Sequence, residues 1–152
     1  MTMADFIAKV LKAAGTIVKP GVVHAHCDIP CGIYETDSAK TAADTVYQMT
    51  EKIAELKAPG EDPQAHRDYT NAVVRMIAEK EKQAQLCKEQ ILILWTDYFK
   101  EEHLARFPGL HEKVWKATKL CSQAKRTVDL KAAQQLKEAV AEVARIFAET
   151  KK

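Results

Sequence analysis

The sequence has few of the residues that make turns, membrane spans or disulfide frameworks. Its 152 residues include five glycines, five prolines and four cysteines, and 7% are aromatic. No apolar run approaches the roughly 20 residues of a transmembrane helix, which excludes an integral membrane protein. The formal net charge is +2, from 23 basic and 21 acidic residues that are interspersed. The sequence therefore lacks the clustered basic face of a nucleic-acid-binding protein, and its length fits one globular domain.

The four cysteines could form two disulfides, but disulfides are typical of exported proteins. The N-terminal segment does not resemble a secretory signal, because lysines and an aspartate interrupt its apolar residues. Residues 1–14 instead have the pattern of an amphipathic helix. We therefore expect a cytoplasmic protein with reduced thiols, and the V-x-A pattern formed by Val23 and Ala25 leaves export as the alternative.

The presence of many apolar residues at helical spacing predicts an all-α protein. Four stretches show this pattern, at about 37–57, about 63–99, from Pro108 onward and about 128–149. Short connections between amphipathic helices favour antiparallel neighbours. Residues 37–152 are therefore predicted to form an antiparallel up-and-down four-helix bundle. Cys87 and Cys121 lie within helical sequence among apolar residues, so we expect them to be buried free thiols.

The segment before the first predicted helix is too irregular for a helix, and it contains the candidate metal-binding residues. Residues 26–34 read H-C-D-I-P-C-G-I-Y, so His26, Cys27 and Cys31 fall within six residues. Thiolates and imidazole are ligands for zinc, copper or nickel. A reduced thiol pair or a redox disulfide remains an alternative. Structural zinc is the weaker choice, because it needs four ligands and no second C-x2-C or H-x3-H follows.

These nine residues resemble the nickel hook of nickel-containing superoxide dismutases, whose pattern is H-C-D-x-P-C-G-x-Y at the mature N-terminus. Every fixed position of that pattern is matched. Residues 95–100, W-T-D-Y-F-K, are similar to the family's W-[ST]-D-Y-F-K segment, and residues 107–111 and 146–150 also look familial. The resemblance covers roughly residues 26–150, with the four helices in the family's order.

The resemblance implies an antioxidant enzyme that converts superoxide to dioxygen and hydrogen peroxide, with one nickel per subunit cycling between Ni(II) and Ni(III). It implies that His26, Cys27 and Cys31 bind the metal. The expected plane contains both thiolates, the backbone amide nitrogen of Cys27 and the α-amino group of His26, with the His26 imidazole axial in the oxidised state. Such strong donors stabilise the higher oxidation state and suit square-planar Ni(II).

Five further residues are assigned by the same resemblance. Asp28 and Tyr34 would flank the metal as catalytic residues, and the tyrosine would restrict access and order water. Pro30, which follows a cis peptide in the family, and Gly32 would shape the turn. Tyr98 resembles a tyrosine that lies near the hook across a subunit contact, and a buried aromatic with a satisfied hydroxyl is the alternative.

An α-amino ligand exists only if His26 is the first residue of the mature chain. The resemblance therefore implies a leader, residues 1–25, that a dedicated protease removes by cutting between Ala25 and His26. The expected organisation is this leader, then the hook at residues 26–36, then the bundle at residues 37–152. We expect the uncut chain to lack metal or to be catalytically poor.

The resemblance also implies a homohexamer that buries each hook against a neighbour, with Trp95, Trp115 and Tyr98 available for subunit contacts. Some members orient the axial imidazole with a glutamate and an arginine. The aligned positions here are Ala42 and Gln83, so the orientation of the imidazole is an open question. The alternative function is a protein that stores or delivers nickel or copper with the same hook and without turnover.

Overall fold

The computed structural model describes residues 32–152, and the chain divides into two units after Ile33. Of the first unit, only Gly32 and Ile33 are described. Gly32 has a φ of 69°, a left-handed conformation that glycine adopts without strain. The predictions for the leader and for His26, Cys27, Asp28, Pro30 and Cys31 lie outside the described residues.

The second unit, Tyr34–Lys152, is helical, and no strand occurs among its residues. Its helices are α1 (Asp37–Glu55), α2 (Pro63–Ile93), α3 (Glu101–Arg106), α4 (Leu110–Arg126) and α5 (Leu130–Thr150), with a π-helical turn (Leu94–Tyr98) directly after α2. The predicted all-α class is confirmed. None of the described helices is both long enough and apolar enough to cross a membrane.

The four long helices pack in cyclic order, because α1 lies against α2 and α5, and α4 also lies against α2 and α5. Short connections join α1 to α2 and α4 to α5, which favours an antiparallel arrangement within each pair. The largest fully buried aliphatic side chains come from all four helices and are Val46, Ile91, Leu110, Leu136, Val140, Val143 and Ile146. Their burial supplies the main stabilisation of the bundle, at about 1.5–3 kcal/mol for each large side chain. The predicted four-helix bundle is therefore confirmed.

Two helix starts follow directly from side-chain caps. The Asp62 carboxylate accepts hydrogen bonds from the backbone amides of Gln64 and Ala65, each at 3.1 Å, and Pro63 occupies the first turn of α2. The Asp129 carboxylate caps α5 in the same way. An aspartate satisfies amides that have no partner within the helix, and proline there loses no helical hydrogen bond. The predicted start of the second helix at Asp62-Pro63 is thus confirmed.

The second predicted helix differs from the observed one at its C-terminal end. The α-helix ends at Ile93, and the following turn is π-helical, with the amide of Phe99 donating to the carbonyl of Leu94 at 2.9 Å. The short helix α3 then follows, which the sequence did not predict. Ile91, Leu94, Trp95 and Tyr98 keep a helical spacing, so apolar periodicity conceals the change to a wider turn.

The C-terminal end of α4 is capped by a buried lysine from α2. Lys80 is 2% exposed, and its ammonium donates to the carbonyls of Ala124 at 2.8 Å, Lys125 at 3.3 Å and Thr127 at 2.6 Å. Burial lowers the pKa of Lys80. The cation satisfies carbonyls that no further helical turn can reach, and it lies at the negative end of the helix dipole.

Candidate functional site

Tyr34, the last residue of the nine-residue motif, is half-buried, and within residues 32–152 three groups contact it. Its ring lies 5.3 Å from that of Tyr98, measured between centroids. Its hydroxyl donates to the carbonyl of Asp97 at 3.4 Å, and its own carbonyl accepts from the ammonium of Lys151 at 3.0 Å. The structure therefore brings together two of the predicted site residues, Tyr34 and Tyr98, through the π-helical turn and the end of α5.

Tyr98 is the centre of an aromatic cluster. Its ring centroid lies 4.6 Å from that of Phe147, 5.3 Å from that of Phe99 and 5.5 Å from the His103 ring, which is nearly parallel to it at 13°. Contacts of this kind stabilise aromatic pairs beyond simple burial. The cluster fixes the ring of Tyr98, and Tyr98 in turn supports the ring of Tyr34.

The direction of the Tyr98 hydrogen bond can be assigned from the neighbouring groups. The hydroxyl oxygens of Tyr98 and Thr150 are 2.7 Å apart, and Thr150 donates to the carbonyl of Phe147 at 2.6 Å. A threonine hydroxyl has one hydrogen, so Tyr98 is the donor to Thr150. The Tyr98 hydroxyl therefore has a hydrogen-bond partner within this chain.

His103 orders the backbone directly after the π-helical turn. Its Nδ1 accepts a hydrogen bond from the amide of Lys100 at 3.1 Å, which places the hydrogen of the neutral ring on Nε2. The Nε2 atom lies 3.8 Å from the Glu102 carboxylate. The hydrogen bond from Lys100 to His103 caps the N-terminus of α3, and it keeps the His103 ring against Tyr98.

Three contributors around Tyr34 were missed by the sequence analysis. They are the carbonyl of Asp97, the hydroxyl of Thr150 and the ammonium of Lys151. A backbone carbonyl has no signature in a sequence. Thr150 ends the familial stretch 146–150, and this was the one available signal. Lys151 follows that stretch as an exposed lysine, and nothing in the sequence indicated its contact with Tyr34.

The two positions that replace a charged pair in some family members offer no ionised partner. Ala42 is a core residue of α1 and is 1% exposed. Gln83 is half-buried on α2, where its amide donates to the Glu79 carboxylate at 2.6 Å. Neither of these two side chains carries a charge.

The described cysteines are core residues, as predicted. Cys87 and Cys121 are free thiols, 0% and 1% exposed. The neighbouring Cys121 thiol, together with burial, raises the pKa of Cys87. Within residues 32–152, no three His, Cys, Asp or Glu side chains come together in a way that could hold a metal ion.

A four-helix bundle preceded by a segment rich in thiolate and imidazole donors is typical of a helical metalloprotein. A sequence profile of the family described as nickel-containing superoxide dismutase matches residues 21–151. The chain is 36% identical over 130 residues to "Superoxide dismutase [Ni]" of Streptomyces seoulensis, covering 86% of this chain and 91% of that protein. The protein of the same name from Streptomyces coelicolor is 37% identical over the same length, with the same coverage.

Solved structures show the same relationship. The native nickel superoxide dismutase structure at 1.30 Å has a TM-score of 0.69 and 35% identity, covering 84% of this chain and all of that one. A structure with nickel ligation corresponding to the oxidised state has a TM-score of 0.70 and 35% identity, covering 83% of this chain and 98% of that one. The chain belongs to the nickel-containing superoxide dismutase family. It is a superoxide dismutase with nickel as its cofactor.

Proposed function

We propose that this superoxide dismutase binds nickel through His26, Cys27 and Cys31, and that cleavage between Ala25 and His26 activates it. The observation that carries this proposal is the match of residues 26–34 to every fixed position of the H-C-D-x-P-C-G-x-Y pattern, inside the region that the family profile covers. The reaction consumes two superoxide ions and two protons and yields dioxygen and hydrogen peroxide. When bound, nickel would supply the one-electron chemistry, since it has accessible divalent and trivalent states.

The donor set fits this metal. Two thiolates, a deprotonated amide and an imidazole are strong donors that would suit nickel and favour its higher oxidation state. The α-amino group of His26 would be available as a further donor only when residue 25 has been removed, because a peptide nitrogen replaces the amine in the uncut chain. We therefore assign residues 1–25 to a leader, 26–36 to the nickel hook and 37–152 to the bundle.

The remaining site residues serve the substrate and the shape of the hook. Asp28 and Tyr34 flank the metal, and Tyr34 restricts access for the small anion and orders water beside it. Pro30 and Gly32 shape the turn between the ligands. The contacts of Tyr98 with Tyr34 and Thr150 support a role for Tyr98 in holding the Tyr34 ring.

The proposed partners are a leader-processing protease in the cytoplasm and further copies of the same chain. A homohexamer is the assembly that the family resemblance suggests. Trp115 is 57% exposed on α4, with the ammonium of Lys119 5.6 Å from its ring centroid, which supports a role in a subunit contact. Trp95 is half-buried against His111 and is less available.

The test compares the chain that begins at Met1 with a chain cut to begin at His26. Intact mass defines each N-terminus, and nickel content, superoxide consumption and electron paramagnetic resonance are then measured. We expect one nickel per subunit, turnover and a rhombic signal with axial nitrogen coupling in the cut form. Cys31→Ser in the cut form is the control that removes one thiolate.

Two outcomes would contradict this proposal. Full nickel occupancy and activity in the uncut chain would exclude activation by cleavage. Nickel bound by the cut chain without turnover would indicate the alternative function, storage or delivery of the metal.

A further inference from the structure

We propose that Lys151 is a positioning residue for the nickel hook, because it fixes the backbone of Tyr34, from which the hook extends. This inference rests on the proposed function of residues 26–34. Lys151 lies 117 residues after Tyr34 in sequence, and its ammonium donates to the Tyr34 carbonyl at 3.0 Å. The ammonium also lies 4.2 Å from the centroid of the Phe147 ring.

The Lys151 ammonium lies over the ring of Phe147, which is well packed. Phe147 is 6% exposed and packs against Tyr98. A cation above an aromatic face is attracted to the ring, and a hydrogen bond from a charged donor is stronger than a neutral one. Lys151 therefore has two favourable interactions at one place, both on residues connected to the Tyr98 cluster.

The contact made by Lys151 differs in kind from the other contacts of Tyr34. The Tyr98 ring and the Asp97 carbonyl contact the side chain of Tyr34, whereas Lys151 holds its backbone carbonyl. A side chain can keep its contacts while the backbone rotates about it. A restraint on the carbonyl limits that rotation, and this restraint acts directly on the preceding part of the chain.

The residues that follow Tyr34 are fixed as well. The Glu35 carboxylate accepts hydrogen bonds from the backbone amides of Asp37 and Ser38 at the start of α1, the latter at 3.0 Å. The interaction with the Ser38 side chain, together with these backbone hydrogen bonds, lowers the pKa of Glu35. The backbone is therefore restrained at two successive residues, at Glu35 by the start of α1 and at Tyr34 by Lys151.

The restraint on Tyr34 also affects the proposed ligands, because few residues separate them from it. Cys31 precedes Tyr34 by only three residues in the sequence, so few backbone torsions separate the two residues. A fixed Tyr34 reduces the number of conformations open to the Cys31 thiolate before the metal binds. Ligands restricted in this way lose less conformational entropy on binding, which slows metal release.

The experiment uses the chain that begins at His26, with Lys151→Met, Lys151→Arg and the matched control Lys152→Met. Lys152 is the adjacent exposed lysine and takes no part in the contacts with Tyr34. Hydrogen exchange of the Tyr34 and Glu35 amides is measured without metal. Nickel release to a chelator, the electron paramagnetic resonance signal and the salt dependence of kcat/KM are measured with nickel.

We expect Lys151→Met to speed amide exchange and nickel release by about fivefold and to broaden the axial nitrogen coupling. Lys151→Arg should show amide exchange and nickel release close to those of the wild type, because it keeps a charged donor. Lys152→Met should match the wild type. Urea unfolding of the metal-free variants checks that the bundle is intact.

Three results would overturn the inference. The first is wild-type exchange and nickel release in Lys151→Met. The second is a change confined to the salt dependence of kcat/KM, which would show that Lys151 attracts superoxide and does not position the hook. The third is a wild-type chain that binds no nickel, which refutes the proposed function. In that last case the exchange data still decide whether Lys151 pins Tyr34.

Discussion

The hydroxyl of Tyr98 donates a hydrogen bond to the hydroxyl of Thr150 at 2.7 Å, joining the π-helical turn to the last turn of α5. The Thr150 hydroxyl in turn donates a hydrogen bond to the carbonyl of Phe147, and the ring of Phe147 packs against Tyr98. Two elements that are distant in sequence thereby form one closed unit. The position of the Tyr34 ring depends on this unit, because Tyr98 is its aromatic neighbour.

Removal of the Tyr98 hydroxyl should destabilise the bundle without removing the ring. Tyr98→Phe should lower the free energy of unfolding by about 0.5–1.5 kcal/mol, the usual contribution of one hydrogen bond, and Thr150→Val should lower it by at least as much, because it also removes the bond to the Phe147 carbonyl. Urea unfolding of the metal-free chain measures this, with Tyr69→Phe on α2 as the control. In the double variant the two losses should not add, and full additivity would show that the two hydroxyls do not interact.

Removal of the Lys80 ammonium should destabilise the end of α4. Lys80→Met keeps most of the apolar stem but leaves carbonyls of residues 124–127 without their donor, at a cost of about 1–3 kcal/mol. Lys82→Met, an exposed lysine on the same helix, is the control. Equal stability of Lys80→Met and the wild type in urea unfolding would mean that water satisfies these carbonyls equally well.

Glu142 should make the stability of the bundle depend on pH in the acidic range. Its carboxylate accepts from Arg145 at 2.8 Å and 2.9 Å and from Lys113 of α4 at 2.9 Å. These hydrogen bonds lower the pKa of Glu142 from 4.5 to about 2. Because the folded state favours the ionised form, the contribution is present above pH 4.5 and is lost as the pH falls towards 2.

The comparison that tests this is wild type against Glu142→Gln in urea unfolding at pH 7 and near pH 2. The side chain is 33% exposed, so the expected difference at pH 7 is below about 1 kcal/mol and should decrease with added salt. Near pH 2 the two proteins should converge. Glu138→Gln on the same helix is the control, and a difference that grows on acidification would contradict the assignment.

The core thiols should be inert in the folded protein. In a chain carrying Cys27→Ser and Cys31→Ser, neither Cys87 nor Cys121 should react with a thiol reagent under native conditions, because both are buried and the pKa of Cys87 is raised. Both should react in denaturant. Rapid labelling of the folded chain would show that α2 and α4 separate readily at this point.

The sequence alone determined the features that depend on neighbouring residues. Apolar periodicity predicted the four long helices, and Asp62-Pro63 predicted where α2 begins, because a cap and its amides lie within one turn. The identity and spacing of the donors in residues 26–34 indicated a metal site for zinc, copper or nickel, and the resemblance of these residues to the nickel hook indicated nickel. Core positions such as Cys87 and Cys121 also followed from helical spacing.

The tertiary structure alone decided which distant groups meet. Nothing in the residue type distinguishes the buried Lys80 or the terminal Lys151 from the other lysines, since a lysine can bond any carbonyl that packing places within its reach. The π-helical turn likewise conforms to apolar spacing, so only its hydrogen bond from Phe99 to Leu94 reveals it. Local chemistry thus defined the proposed metal-binding motif, while the contacts of the C-terminal end of α5 with the π-helical turn determined how the described residues hold Tyr34.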